Sequence, residues 1–291
     1  MLEQQLVNGV MLGAVYILVA VSFTLSWGLL NFLNFSIPGL FMIGGFGLWA
    51  LTREGLPWAL AVIGALVLAG TSAFVVERFT YRTQRMSNPV VPLVSSLGFL
   101  ILIENLATVR YGSDARTVQV PFADANLHLG SVVLSVPHLA SLGVALVLVA
   151  VTHAALKRSR LGRGVRAIAE SADTAYLLGI PVERLVPLIF VAGGLFTGLA
   201  GLAFALSYQQ VSPFMGDQIA LKGVSAMVIG GMGNLWGAVA GGLLIGVLEV
   251  LATHFLGADF INVIAYGTLL LVVLLRPQGL FARHDAVQEK L

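Results

Sequence analysis

Residues 157–185 read KRSRLGRGVRAIAESADTAYLLGIPVERL, a polar and basic island in a chain that is otherwise almost wholly apolar. Apolar segments of membrane-spanning length flank it on both sides. It is therefore a sizeable loop on one face of a bilayer that the chain crosses repeatedly. The loop is itself patterned. Between Arg163 and Leu178, the residues Val165, Ala167, Ile168, Ala169, Ala172, Ala175 and Leu178 recur with helical periodicity. Arg166 and Glu170 form an i, i+4 pair, and Gly179, a residue at ease in the left-handed conformation, ends the helix ahead of Ile180-Pro181. The pattern predicts one short amphipathic helix whose small-residue face is shaped for a socket in a partner. A surface helix drawn to anionic membrane lipid is the plainer reading of the same residues.

Composition agrees with a membrane setting. Of 291 residues 58% are hydrophobic and 10% charged, and the mean hydropathy is +0.93. A soluble domain carries about a quarter charged residues, so that class is excluded. The net charge of +2 gives no ground for a nucleic-acid partner. Cysteine is absent, which excludes disulfides and thiolate chemistry. The opening residues MLEQQLVNG lack the basic n-region of a signal peptide, so the first apolar run is expected to remain as a span. The expected architecture is one all-α polytopic domain over residues 1–291, with about eight transmembrane helices, a re-entrant half-helix and a cytoplasmic helix in the loop 157–185.

A span needs about 20 apolar residues. The candidates are 8–30, 36–52, 59–77, 92–110, 137–156, 186–207, 235–256 and 260–275, with 219–231 too short to cross alone. Arg78, Arg82 and Arg85; Lys157, Arg158, Arg160, Arg163, Arg166 and Arg184; and Arg276, Arg283 and Lys290 make 12 of the 16 basic residues and fall in three loops. The positive-inside rule puts those loops and the C-terminus in the cytoplasm, and the N-terminus, 53–58 and 111–136 outside. Residues 208–218 and 257–259 then both lie outside, so 219–256 must enter and return, turning at Gly230-Gly231-Met232-Gly233-Asn234. A second interruption is Asn31 to Gly39, where the proline of Ile37-Pro38-Gly39 pushes its predecessor out of helix geometry. Irregular backbone at membrane depth is tolerated only under protein or beside a water-filled cavity. Paired breaks of this kind point to a transport path. Asn31, Asn34, Ser36, Gly230, Gly231, Gly233 and Asn234 are its candidate residues. Small residues at Gly193, Gly194, Gly198, Ala200 and Gly201, and at Gly237, Gly241, Gly242 and Gly246, suit close helix packing within the bundle or against a partner subunit, a glycine-lined conduit being the alternative.

Little here suggests catalysis. No GxxxxGK[ST] loop is present, so ATP is not bound by that route. Neither paired Asp, Ser with His, nor HExxH occurs, and the five histidines, His128, His138, His153, His254 and His284, have no metal spacing. Charges within spans are each a functional hypothesis. Lys222 begins the short apolar piece, while Glu104 and Glu249 read best as structural hydrogen-bond or interhelical partners.

Three blocks of the chain together resemble one family. GRGVRAIAESADTAYLLGIPVERLVPLIFVAGGLFTGLAGLAF, AMVIGGMGNLWGAVAGGLLIGVLE and NGVMLGAVYILVAVSFTLSWGLLNFLNFSIPGLFMIGGF are similar, in order and spacing, to bacterial branched-chain amino acid ABC permeases of the LivH type. The resemblance implies the inner-membrane subunit of an ATP-driven importer. Its partners would be a second, homologous permease, two cytoplasmic ATPases that bind the ATP and Mg, and a periplasmic substrate-binding protein. No cofactor would sit in this chain, which would be no enzyme. The ATPase-coupling residues carried over are Arg163, Arg166, Ala167, Glu170, Ala175, Gly179 and Ile180. Three places depart from the family pattern: Gly164 for alanine, Ser171 for Asn or Asp, and Ser36-Ile37-Pro38 where Ala-His follows the residues corresponding to Asn34-Phe35. A permease for urea, short amides or aromatic acids is the alternative within the class. A secondary carrier or channel, or a scaffold without cargo, lies outside it.

Overall fold

The computed structural model describes residues 2–30, 32–82, 90–120, 126–129 and 132–281. Asn31, Arg85, Arg283, His284 and Lys290 lie outside them. The order is α1 (Leu2–Leu30), α2 (Ile37–Arg53), α3 (Trp58–Glu77) continued by a π-helical turn Arg78–Arg82, and α4 (Val90–Tyr111). Then come β1 (Arg116–Thr117), β2 (Asn126–Leu129), β3 (Val132–Ser135), α5 (Val136–Arg158), α6 (Arg160–Glu170) and α7 (Ala172–Leu177). The remainder is α8 (Val182–Tyr208), β4 (Gln210–Val211), α9 (Met215–Gly230), α10 (Leu235–Phe255) and α11 (Ile261–Leu275).

Among the described residues, seven helical stretches are long and apolar enough to cross a membrane: those built on α1, α3, α4, α5, α8, α10 and α11. The remaining expected span, 36–52, is α2, with 17 residues. At 1.5 Å per residue α2 is about 26 Å long, slightly under a hydrocarbon core of about 30 Å. The expected short piece 219–231 is a longer helix, α9, beginning at Met215.

Helices α1 and α8 form the centre, with 78% and 72% of their most apolar windows buried, against 11% for α5 and α11. The outer helices thus keep apolar faces for lipid or for another subunit. Close crossings at the centre depend on glycine. A β-carbon at Gly201 of α8 would overlap the Phe41 carbonyl of α2, and one at Gly44 would overlap the Gly198 carbonyl in return. Along α1, Gly13 lies against Leu243 and Gly242 of α10, while Gly242 lies against Ile17.

The break between α1 and α2 lies within the expected interruption Asn31–Gly39, but upstream of the proline: Ile37 and Pro38 open α2, where a proline's missing amide costs nothing. Asn34 Oδ1 accepts from the Ser36 amide (3.0 Å) and hydroxyl (2.7 Å), and the Phe35 amide donates to Ser96 Oγ (3.0 Å). These bonds satisfy the unwound backbone that a membrane could not. The basic loops gather at one end of the bundle. Arg82 pairs with Glu183 at 3.4 Å, Gly28 meets Gly233, and the amides of Leu280 and Phe281 donate to the Ile229 and Gly230 carbonyls. At the other end, Gln4 of α1 exchanges two bonds with Val133 of the β2–β3 hairpin. β1 pairs antiparallel with β4. These short strands were not anticipated in a purely helical reading.

One expectation is corrected outright. The single helix from Arg163 to Leu178 is two helices, α6 and α7, divided at Ser171. Ser171 is extended (φ −158°, ψ 110°), and its Oγ accepts from the Thr174 amide at 3.2 Å. A serine hydroxyl offers the backbone a local alternative to the helical ladder and so starts a new helix. Asn and Asp cap equally well, so the departure from the family pattern at Ser171 keeps the same chemistry.

Candidate functional site

The loop helices are anchored from their own ends. Ser159 caps α6 by accepting from the Gly162 amide at 3.0 Å. Beyond α7 the Ile180 amide donates to the Ala175 carbonyl and the Gly179 amide to that of Tyr176, both at 3.0 Å, with Gly179 at φ +79°. This is a Schellman motif, which closes a helix through one left-handed residue. Nothing lies within 4 Å of where a Gly179 β-carbon would stand. Gly179→Ala should therefore meet no clash and lose only roughly 1–2 kcal/mol of conformational energy. Thermal unfolding of the purified chain in detergent would measure it.

The amphipathic face points inward. Val165, Ile168 and Ala175 are buried, and Ala167, Ala172 and Ile180 pack against the main core. The small-residue face expected to fill a partner's socket instead seats α6 and α7 on this chain's own bundle. Of the predicted coupling residues, Arg163, Arg166, Glu170 and Gly179 are exposed. Arg166 does not pair with Glu170; its Nη1 donates to the Leu156 carbonyl at the end of α5. The sequence reading missed the exposed apolar tip, Tyr176, Leu177 and Leu178, of which Leu177 is 84% exposed. Large apolar side chains beside a left-handed glycine were the available signal.

The glycine turn is a capped structure. Gly231 and Gly233 have φ of +104° and +84°. Asn234 Oδ1 accepts from the amides of Trp236 (3.1 Å) and Gly237 (3.2 Å), starting α10, and its Nδ2 donates to the Phe281 carbonyl at 2.8 Å. Asn234 and Gly233 also line a cavity of about 580 Å³, together with Thr24 and Gly28 of α1, His153 and Lys157 of α5, and Arg166 of α6. Two groups predicted separately, the loop helix and the glycine turn, thus share one cavity at the basic end. Asn34 and Ser36 do not line it; they are buried and bonded to each other. Gly230 lies in the contact between α9 and α10, where a β-carbon would overlap Gly237.

A second cavity, about 360 Å³, opens among α1, α8, α9 and α10. Its wall carries an ion pair: Lys222 Nζ lies 2.6 Å from Glu249 Oε1, with side chains only 6% and 12% exposed. Tyr16 Oη donates to Glu249 Oε2 at 2.5 Å and accepts from Lys222 at 3.3 Å. Glu249 is thus an interhelical partner, as expected. Its mate was legible in principle, since Lys222 and Glu249 are the only acidic or basic side chains, histidine aside, between 219 and 256 and have opposite sign. Glu104 of α4 is buried beside Asp217 of α9, and its Oε1 has no hydrogen-bond partner among the described residues.

Comparison with known proteins bears on the whole chain. A family model described as "Branched-chain amino acid transport system / permease component" matches residues 5–275. The chain is 31% identical to the high-affinity branched-chain amino acid transport system permease protein LivH of Salmonella typhimurium, over 97% of this chain and 96% of that protein. It is 30% identical to the corresponding permease protein BraD of Pseudomonas aeruginosa, again over 97% and 96%. Among solved structures, PsaBC from Streptococcus pneumoniae in complex with Fab shares the fold, with a TM-score of 0.51, 15% identity, and coverage of 95% of this chain and 92% of that one. Multi-pass helices, a loop helix seated against an inner cavity and full-length similarity converge: the chain belongs to the family of permease components of branched-chain amino acid transport systems.

Proposed function

We propose that this chain is the permease subunit of an ATP-driven importer of branched-chain amino acids in a bacterial inner membrane, and that α6 and α7 couple it to a cytoplasmic ATPase. The observation that carries this reading is the 580 Å³ cavity, whose wall is made jointly by α6 and the glycine turn. Any displacement of α6 changes the shape of that cavity directly, because Val165, Arg166 and Ala169 are part of its lining. The exposed tip Tyr176–Leu178 and the charged face of α6 are the surface offered to the ATPase. In this reading the basic end faces the cytoplasm and the N-terminus the periplasm, an orientation the positive-inside rule supports. A second permease, two ATPases holding ATP and Mg, and a periplasmic binding protein complete the assembly. In this arrangement α2 makes the eighth crossing, and α9, about 24 Å long at 1.5 Å per residue, enters and turns at Gly231.

The chain itself performs no chemical step. Nucleotide-driven movement of the ATPases shifts α6 and α7, and the bundle alternates between inward-open and outward-open forms. Leu177→Asp should separate the two activities. As an exposed substitution it changes stability by under about 0.5 kcal/mol. Uptake in proteoliposomes should fall about tenfold, a coupling loss of ~1.4 kcal/mol, while ATP hydrolysis continues. Arg166→Ala should behave in the same direction. Uptake unchanged in both variants, and independent of ATP, would instead identify a secondary carrier.

A further inference from the structure

The 360 Å³ cavity has no role in the coupling mechanism, yet it holds the best-defined charged group inside the bundle. Three observations set it apart. The first is where the ion pair lies. Lys222 and Glu249 are two of the cavity's lining residues. Joining α1, α9 and α10 does not require them, since replacing a buried ion pair by apolar side chains of similar volume is often neutral or stabilising. Elsewhere α1 and α10 meet through Gly13, Gly242 and Gly246, while α9 meets α1 at Gly223 and α10 at Gly241.

The second is the hydrogen-bond inventory. An ammonium has three donors; Lys222 gives one to Glu249 and one to Tyr16, which leaves one. Each Glu249 oxygen accepts one bond from these partners, and carboxylate lone pairs remain. A donor of positive charge and an acceptor of negative charge thus stand side by side, 2.6 Å apart. The third is the remaining lining. Leu12, Phe204, Phe214 and Ile219 supply an apolar wall, while Ser212 and Gln218 add neutral polar groups. Mostly apolar walls with a few placed polar groups, in a volume of about 300–1,000 Å³, are the features of a small-ligand site.

We propose that this cavity is a cargo subsite for the zwitterionic head of an α-amino acid, with Lys222 taking the carboxylate, Glu249 the ammonium, and the apolar wall the side chain. The inference rests on the importer reading and goes further, since it assigns residues to the cargo. It also explains selectivity. An amide lacks the negative charge for Lys222, and a keto acid would bring its carboxylate towards Glu249 with no ammonium to offset it. Leaving such charges unmatched is how a site rejects near-isosteres.

Because the chain has no cysteine, a thiol placed in the cavity is the only one it carries. Ser212→Cys in the assembled importer, in membrane vesicles, should be alkylated by a maleimide at a rate that L-leucine slows by 1 + [L]/Kd, about tenfold at ten times Kd. L-leucinamide, 4-methyl-2-oxopentanoate and urea at equal concentration should not slow it. Phe214→Cys is the second reporter should the first fail to assemble. Adding Lys222→Met together with Glu249→Leu, which removes both charges and orphans neither, should abolish protection. Equal protection by all the compounds, absence of protection by leucine, or protection surviving the double substitution would each overturn the subsite. ATP-driven leucine uptake in those same vesicles would leave the importer reading intact. Protection by urea alone, without leucine uptake, would sink that reading as well.

Discussion

Lys222→Met, with Glu249 left in place, should cost the folded chain about 3–5 kcal/mol, the penalty for stranding one member of a buried ion pair. Lys222 and Glu249 are nearly enclosed, on different helices, and 2.6 Å apart. Only the Tyr16 hydroxyl would then remain as a partner to the carboxylate. With the Glu249 side chain only 12% exposed, water compensates it poorly, and a charge within a span is expensive unless paired. The informative comparison is with Lys222→Met combined with Glu249→Leu, which removes both charges, leaves only the neutral Tyr16 hydroxyl without these partners, and should recover most of that loss. Equilibrium unfolding in mixed detergent micelles measures both. If single and double substitutions lose the same amount, the two side chains do not depend on each other.

The other large effect should come from Gly201→Leu. At this crossing the neighbours are backbone atoms, the Phe41 carbonyl and the Gly45 nitrogen. Unlike a side chain, they cannot rotate aside. Overpacking a well-filled interior costs about 1–3 kcal/mol and occasionally more. With α2 and α8 pressed together the upper end is expected here, visible as loss of folded chain from membranes and a lower midpoint on heating. Gly98→Leu on α4 supplies the opposite sign. Nothing lies within 4 Å of a β-carbon there. Leu is a better helix former than Gly by somewhat under 1 kcal/mol, so the isolated chain should be slightly stabilised.

How much of this was legible in the residues depended on the length scale of the signal. Spans, the α1–α2 break and the end of α7 before Gly179 follow from apolar run length, from polar residues ahead of a proline that opens α2, and from a glycine, all local constraints. The division at Ser171 is local too, but small apolar residues continue on both sides of it, and periodicity alone sees no interruption. Helical periodicity also cannot say what a face packs against. It found the Val165–Ile168 stripe, while the direction of that stripe was decided by packing on the start of α8 and on α1, the latter far away in sequence. Asn34 and Ser36 were legible as a break, and their mutual bonds show why polar residues stand there: a broken helix needs them to satisfy its own backbone. The Lys222–Glu249 pair needed the register between α9 and α10, which a few glycines set through three-dimensional fit.

The bonds from Leu280 and Phe281 to the Ile229 and Gly230 carbonyls carry a consequence for biosynthesis. The last turn of α9 leaves carbonyls that no residue within that helix can satisfy. Their donors are 51 positions downstream of Ile229 and Gly230, beyond α11, and Asn234 adds a bond to the same stretch. A chain still emerging from the ribosome has inserted α9 and α10 long before those donors exist. The carbonyl end of α9 therefore stays without these donors until translation has passed Phe281, and this end of the helix is finished last.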